Sequence, residues 1–192
     1  MPLPGGNSRK EEQQMSKPRL GVLVLMILAA AGSRLIPHPP NMASIAAVAL
    51  FGGAYLANKW LAFLVPLAAL FLSDLVLGLY GHMEIVYGSF ALVVCIGLLL
   101  RKRRTPLRIA GAALASSTLF FVITNFGVWA FGHLYPKTAA GLFTCYVAAV
   151  PFFQNTLAGD ALYTTVLFGG FALAERLFPA LREPALVQPR SA

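Results

Sequence analysis

The sequence predicts an all-α integral membrane protein built as a six-helix bundle. Two observations lead to this class: the composition of the chain and the length of its apolar runs. The 192 residues are 58% hydrophobic and 11% charged, whereas soluble domains are usually ~25% charged. The apolar runs approach the ~20 residues that cross ~30 Å of hydrocarbon. Because a backbone in lipid must satisfy its own hydrogen bonds, these runs are predicted to be helices.

The predicted transmembrane domain covers residues 20–178. Residues 1–19, rich in Pro, Gly, Gln and charge, are expected to form a disordered cytoplasmic tail, and residues 179–192 a second one. The apolar stretch Ala139 to Phe153 is short and contains Pro151, so we expect an additional outer re-entrant or surface helix there. The six spans are Leu20 to Ile36, Met42 to Asn58, Trp60 to Tyr80, Ile85 to Leu100, Leu107 to His133 and Leu157 to Phe178.

Basic residues fix the predicted orientation. With the amino terminus in the cytoplasm, only Arg34 and Lys137 of the 15 Lys and Arg residues fall outside, as the positive-inside rule expects. A cleaved signal peptide ending near Ala29 to Gly32 is the alternative for the first segment. Its loss would leave five spans and move the last arginines outside. The run Arg101 to Arg104 adjoins a span, which favours contact with anionic lipid and no binding of nucleic acid.

Polar side chains concentrate at the predicted outer end. The chain has no GxxxxGK[ST], HExxH, GxSxG or CxxC motif, so it carries no soluble catalytic signature. Two stripes recur at every fourth residue: on the fifth helix Ser117, Phe121, Asn125, Trp129 and His133, and on the third Asp74, Gly78 and His82. Such stripes indicate either helix packing or a ligand wall. The predicted substrate-binding residues are Arg34, His38, Asn41, Asp74, Tyr80, His82, Asn125, Trp129, Cys145, Tyr146, Asn155 and Asp160.

Two acidic residues stand within or beside predicted spans. A carboxylate there costs ~3 kcal/mol or more to insert, so it needs a partner, and Arg34 is the candidate for Asp74. That pair is either structural or part of a ligand or proton site. Asp160 is predicted to begin the sixth helix, where the helix dipole favours a negative charge. The histidines and Cys145 could alternatively ligate a soft metal, but their spacing gives no motif, and neither a metal nor a cofactor is predicted.

The second helix is made of small residues. Small residues spaced by three or four let helices approach closely. Ala43 with Ala47, and Ala49 with Gly53, match this spacing. They indicate either packing inside the bundle or a docking surface for a partner membrane protein.

Several runs resemble a bacterial membrane family of unknown function over most of Arg34 to Leu167. They are Ile36 to Asn41, Ala49 to Tyr55, Leu72 to Asp74, Tyr87 to Phe90, Thr124 to Trp129, Cys145 to Tyr146 and Pro151 to Asp160. The six-helix plan, with Gly52 and Gly53 in the second helix, also resembles the substrate-binding S components of energy-coupling factor (ECF) vitamin transporters.

The S-component resemblance implies a vitamin-like small molecule held near the outer face, under the loops after the first, third and fifth helices. It also implies a small-residue surface that docks on an ECF-type ATPase module. In some cobalamin-specific members a cysteine thiolate lies near the cobalt of the ligand, and the resemblance makes Cys145 the candidate here. The expected function is therefore ligand capture for uptake across the bacterial cytoplasmic membrane. A membrane enzyme with acid and base residues at the outer face and a structural assembly subunit are the alternatives.

Overall fold

A computed structural model describes residues 15–183, and this part of the chain is helical with no strand. The larger parts of both predicted tails, residues 1–14 and 184–192, lie outside the described residues. The helices are α1 (Lys17–Gly32), α2 (Ile45–Tyr55), α3 (Lys59–Leu77), α4 (Met83–Leu100), α5 (Pro106–Phe131), α6 (Ala139–Thr164) and α7 (Gly170–Leu177). A π-helical turn, Thr165–Gly169, joins α6 to α7, and short 3-10 turns lie at Ser33–Leu35 and Pro179–Leu181. The predicted all-α bundle is confirmed.

Five helices of the bundle are long and apolar enough to cross a membrane. Many of their large side chains are exposed, among them Leu64, Val76 and Leu99. A soluble protein buries most such side chains, and a bilayer accommodates them. The exposed surface therefore supports the predicted membrane location.

Helix α2 is the centre of the bundle. It has 11 residues, and every one of them is buried, so about 16 Å of helix is enclosed by its neighbours. The predicted span, Met42 to Asn58, was too long because the residues flanking α2 are also apolar, although they form connecting segments. Hydropathy alone does not separate an enclosed helix from a spanning one.

The small residues of α2 pack inside the protein. A methyl group added at Gly53 would collide with the Val94 carbonyl oxygen of α4 and lie 2.9 Å from the Gly97 Cα. A methyl group at Gly52 would lie 2.5 Å from Cγ of Pro66 in α3. These contacts confirm the interior-packing interpretation. They overturn the docking surface, because Ala47, Ala49 and Gly53 are buried and Ala43 is half-buried. 

The last span differs from its prediction. Helices α6 and α7 and the π turn form one continuous helix of 39 residues, Ala139–Leu177, which we call the long helix. Residues 139–153 are therefore its first part, and the expected re-entrant or surface helix is wrong. Pro151 lies inside α6 without ending it. Asp160 consequently lies within a helix, where the expected role at a helix start does not apply.

The end of the bundle that carries Arg19, Arg101 and Arg104 is called the basic end. The Arg101 guanidinium donates to the carbonyl oxygens of Gly53 and Ala57, each at 3.0 Å, and to that of Leu56. Arg104 donates to the Ala54 oxygen at 3.1 Å. Helix ends leave carbonyls without partners, so these two arginines complete the buried α2. From sequence, the run Arg101 to Arg104 was expected only to fix the topology and to contact anionic lipid.

The chain ends meet at the basic end. Arg19 is 1% exposed and pairs with Glu175 at 2.5 Å and Glu183 at 3.3 Å. Its guanidinium also donates to the Leu181 carbonyl oxygen and lies over the Phe171 ring, 5.0 Å from the centroid. Residues 17–19 and 179–183 therefore belong to the folded domain. The predicted amino-terminal tail ended too late, and the predicted carboxy-terminal tail began too early.

Candidate ligand-binding site

Arg34 and Asp74 form the predicted intramembrane ion pair at the end opposite the basic end. Arg34 Nη1 lies 2.8 Å from Asp74 Oδ1, and it also donates to the Ser73 hydroxyl. The Tyr87 hydroxyl donates to Asp74 Oδ2 at 2.8 Å. Both oxygens of a carboxylate that is 1% exposed are therefore paired, as a buried charge requires.

A cavity of about 180 Å³ lies beside this pair, and a smaller one of about 60 Å³ adjoins it. Asn41, Phe120 and Thr156 border both. We call the two together the loop cleft, because the loop of residues 36–44 borders them. Polar groups converge on its larger cavity from two elements, the first 3-10 turn and α6, and from two connecting segments: Arg34, Asn41, Tyr80, Thr156 and Asp160.

Arg34 keeps donors for a ligand. Its Nε and Nη2 make no hydrogen bond to any residue from 15 to 183, and its side chain borders the larger cavity. Tyr80 lines the same cavity, where burial first and then the Asp74 carboxylate raise the pKa of its phenol. The phenol is thus a neutral donor. Mostly apolar walls with a few polar anchors are typical of small-molecule sites.

The loop over the cleft is held in a defined conformation. Asn41 adopts a left-handed backbone with φ of 63°, which Asn tolerates better than most residues. Asn155 Nδ2 donates to the Pro40 carbonyl oxygen at 2.9 Å. Gly159 allows close approach of the long helix, since a methyl group there would lie 3.1 Å from the Met42 backbone. Asn155 therefore positions the loop and does not line the cleft.

Five of the twelve predicted site residues line the loop cleft. Asp74 does not line it but is bonded to Arg34, which does. The other six lie elsewhere. Cys145 is 2% exposed and lies 3.5 Å from the Asn125 carbonyl oxygen, so the thiol suggested for cobalt contact does not reach the cleft. His38 and His82 are exposed, and His82 pairs with Glu84 at 3.2 Å. The other three donate hydrogen bonds to backbone carbonyl oxygens outside the cleft: Trp129 to Pro136, Tyr146 to Val122 and Asn155 to Pro40.

The two polar stripes serve mainly for packing. On α5, Ser117 contacts Asp160, and Phe121 lies 4.6 Å from the Phe153 ring. The Asn125 amide bonds to Phe121 of its own helix and borders the smaller cavity. The α3 stripe stops at Asp74, because the helix ends at Leu77 and Gly78 takes a φ of 105°. Its predicted members Gly78 and His82 are therefore not on a helix face with Asp74.

Sequence reasoning missed the partners that complete the site. Tyr87 and Ser73 both fall in runs that had been noted only for family resemblance. A hydroxyl near an intramembrane Asp was the signal that could have identified them. Within residues 15–183, no three His, Cys, Asp or Glu side chains come together as a metal site.

The fold and the cleft define a multi-pass α-helical membrane protein with a small polar cavity near one end. The chain belongs to a family of unknown function (DUF6580), whose match covers residues 14–181. Comparison with curated proteins found no match, and comparison with solved structures found none either.

Proposed function

We propose that this protein is a substrate-binding membrane subunit that captures a small molecule in the loop cleft for uptake. The convergence of Arg34, Asn41 and Tyr80 on one cavity supports this function most directly. The unused Arg34 donors favour a ligand that carries a carboxylate or a similar acceptor group. The Tyr80 ring offers a surface for stacking.

The cleft volume sets the size of the ligand. Larger vitamins require more space than the 180 Å³ of the main cavity, because drug-sized ligands occupy ~300 Å³ or more. Either the ligand is small or the loop of residues 36–44 moves aside. The loop crosses the cleft in a few residues and is held by Asn155, by its contact with Gly159 and by the Ser44 hydroxyl, which donates to the Ala30 carbonyl oxygen.

The proposed location is the bacterial cytoplasmic membrane, with the basic end and both termini in the cytoplasm. Among the Lys and Arg residues of the described range, 15–183, only Arg34 and Lys137 lie away from that side, which is the distribution the positive-inside rule describes. The loop cleft would then face outward. An ECF-type ATPase module remains the proposed partner, although it would have to dock on a surface other than α2.

Native mass spectrometry of the gently solubilised protein from its own host tests this function. We expect a retained small-molecule adduct whose mass identifies the ligand. A clean mass with a stoichiometric membrane partner would instead support an assembly subunit. A clean mass with neither a ligand nor a partner would contradict ligand capture.

Two variants test whether the cleft holds that ligand. Asn41→Gly removes the amide and keeps the left-handed backbone accessible, and Asn125→Leu removes a polar group from the smaller cavity. We expect at least a tenfold loss of affinity in each, corresponding to one lost hydrogen bond. His38→Ala is the matched control, since His38 lies in the same loop and borders neither cavity. If all three variants bind the ligand with the affinity of the wild type, the loop cleft is not the binding site.

A further inference from the structure

Asp160 borders two cavities at once. One is the main cavity of the loop cleft. The other is a groove of about 620 Å³ between α5 and the long helix, lined at its far end by Tyr55 and Arg104. The groove follows α5 from Pro106 to Ser117, about 17 Å of helix. A carboxyl group that is 3% exposed therefore separates a space at the loop end from a space that extends to the basic end.

The Ser117 hydroxyl has one proton and two acceptors. Its oxygen lies 2.6 Å from Asp160 Oδ2 and 3.0 Å from the Ala113 carbonyl oxygen. With an ionised, unoccupied Asp160, the proton points to the carboxylate. With a proton on the carboxylate, Ser117 donates to Ala113 and accepts a hydrogen bond from the Asp160 O–H group. With a metal ion on the carboxylate, Ser117 donates to Ala113 and turns a lone pair toward the ion. The Ser117 hydroxyl therefore has suitable partners in the empty and in the occupied site.

Thr164 adds an oxygen without a partner. Its side chain lines the same groove as Asp160 and Ser117, and it lies one helical turn after Asp160. Thr164 is 6% exposed, and its Oγ1 is buried without a hydrogen bond to residues 15–183. The other threonines inside helices donate to the carbonyl four residues earlier: Thr118, Thr124, Thr144, Thr156 and Thr165. An unpaired buried hydroxyl is costly, so a bound ligand would explain its orientation.

No basic side chain neutralises Asp160. Within residues 15–183, its carboxylate makes no ion pair. The charged or titratable groups around it are those bordering the two cavities: Arg34 and Tyr80 on the loop side, and Arg104 and Tyr55 on the basic side. An uncompensated buried carboxylate is strongly disfavoured unless a cation joins it. The adjacent π turn is a feature that often marks functional sites.

We propose that Asp160, Ser117 and Thr164 form a binding site for a monovalent cation, either a sodium ion or a proton, reached from both cavities. Carboxylate and hydroxyl oxygens are suitable ligands for a hard cation. For a proton, the same carboxyl oxygen forms the O–H bond and donates to Ser117. The site would couple the cation to events in the loop cleft, because Asp160 forms part of both walls. It does not rest on the proposed substrate, since the cations alone test it.

Sodium binding is tested by thermal unfolding of the full chain in nanodiscs, with sodium chloride compared with N-methylglucamine chloride at equal ionic strength. We expect sodium to raise the Tm of the wild type, as any ligand of the native state does. Thr164→Val, which is nearly isosteric, should lose this response but gain stability in sodium-free buffer, because an unpaired hydroxyl is removed. Thr165→Val is the matched control and should respond as the wild type, since the Thr165 hydroxyl is already bonded to Ala161.

Proton binding is tested by infrared spectroscopy of the same samples across the neutral pH range. If the cation is a proton, sodium has no effect on Tm, and a protonated carboxyl band titrates in the wild type. That band should disappear in Asp160→Asn and shift its titration in Thr164→Val but not in Thr165→Val. The proposal is overturned if the wild type shows neither a rise of Tm in sodium nor a titrating carboxyl band. It is also overturned if Thr164→Val matches the wild type in both measurements. This second result does not depend on whether Asp160→Asn folds.

Discussion

At the scale of single residues, the Arg34, Asp74 and Tyr87 cluster should contribute strongly to stability. Asp74→Asn removes the charge that compensates a guanidinium whose side chain is only 15% exposed. Breaking a buried pair from one side costs about 3–5 kcal/mol, so we expect a loss of about 3 kcal/mol in unfolding free energy. Tyr87→Phe removes one hydrogen bond and should cost about 1 kcal/mol. Equal losses for the two variants in detergent unfolding would contradict the ion-pair account.

Arg101 is the second residue whose role the structure defines. Arg101→Gln removes the charge-assisted hydrogen bonds to one carbonyl in the last turn of α2 and to two just after it, each bond to a charged group contributing about 1.5–3 kcal/mol. We expect a drop of about 2 kcal/mol or more in unfolding free energy. Lys102→Gln removes the same charge from an exposed neighbour and should change stability little. If both variants lose the same stability, net charge and not capping explains the effect.

At the scale of helices, the crossing of α2 and α4 depends on two facing glycines. Gly53→Ala and Gly97→Ala each push a methyl group against opposing backbone, which cannot retreat as a flexible side chain can. Overpacking costs about 1–3 kcal/mol. Gly88→Ala, on the same α4 but with open space around it, should be neutral or slightly stabilising. Thermal unfolding of the three variants measures this difference, and an unaffected Gly53→Ala would show that the helices are not in close contact.

The same elements show what sequence patterns can predict. Apolar length located four of the helices, α1, α3, α4 and α5, to within a few residues, because the hydrocarbon thickness imposes that length. It overestimated α2, since burial by protein and burial by lipid select the same side chains. It divided the long helix at Pro151, although a proline in a membrane helix is tolerated where neighbours satisfy the freed groups.

The charged pair of the candidate site could be predicted from the sequence. Arg34 and Asp74 were paired from sequence because an intramembrane carboxylate requires a cationic partner. The contact of Ser117 with Asp160 was not predicted, since it depends on how α5 crosses the long helix. Tyr146 and Trp129 were expected in the site as aromatic rings that stack on a ligand, yet neither borders the loop cleft, and their hydrogen bonds go to backbone carbonyls. Residue type alone does not indicate whether a side chain faces a cavity or bonds to neighbouring backbone.

At the scale of the whole molecule, the two ends differ in charge. Arg19, Arg101 and Arg104 gather at one end, and two of them, Arg19 and Arg104, contact the same Glu183. The opposite end holds the loop cleft and, of the arginines in residues 15–183, only Arg34, which is paired with Asp74. This asymmetry predicts that the loop after α1 and the turn after α4 lie on different sides of the membrane.

Single-cysteine labelling in intact cells tests that orientation. His38→Cys reports the loop end and Lys102→Cys the basic end, each in a background with Cys95 and Cys145 replaced by alanine. A membrane-impermeant maleimide should modify His38→Cys in intact cells and Lys102→Cys only after permeabilisation, because positively charged turns are retained inside. The reversed pattern would place the loop cleft in the cytoplasm and exclude capture from outside. Labelling of both from one side would contradict the arrangement in which α2, α3 and α4 link opposite ends.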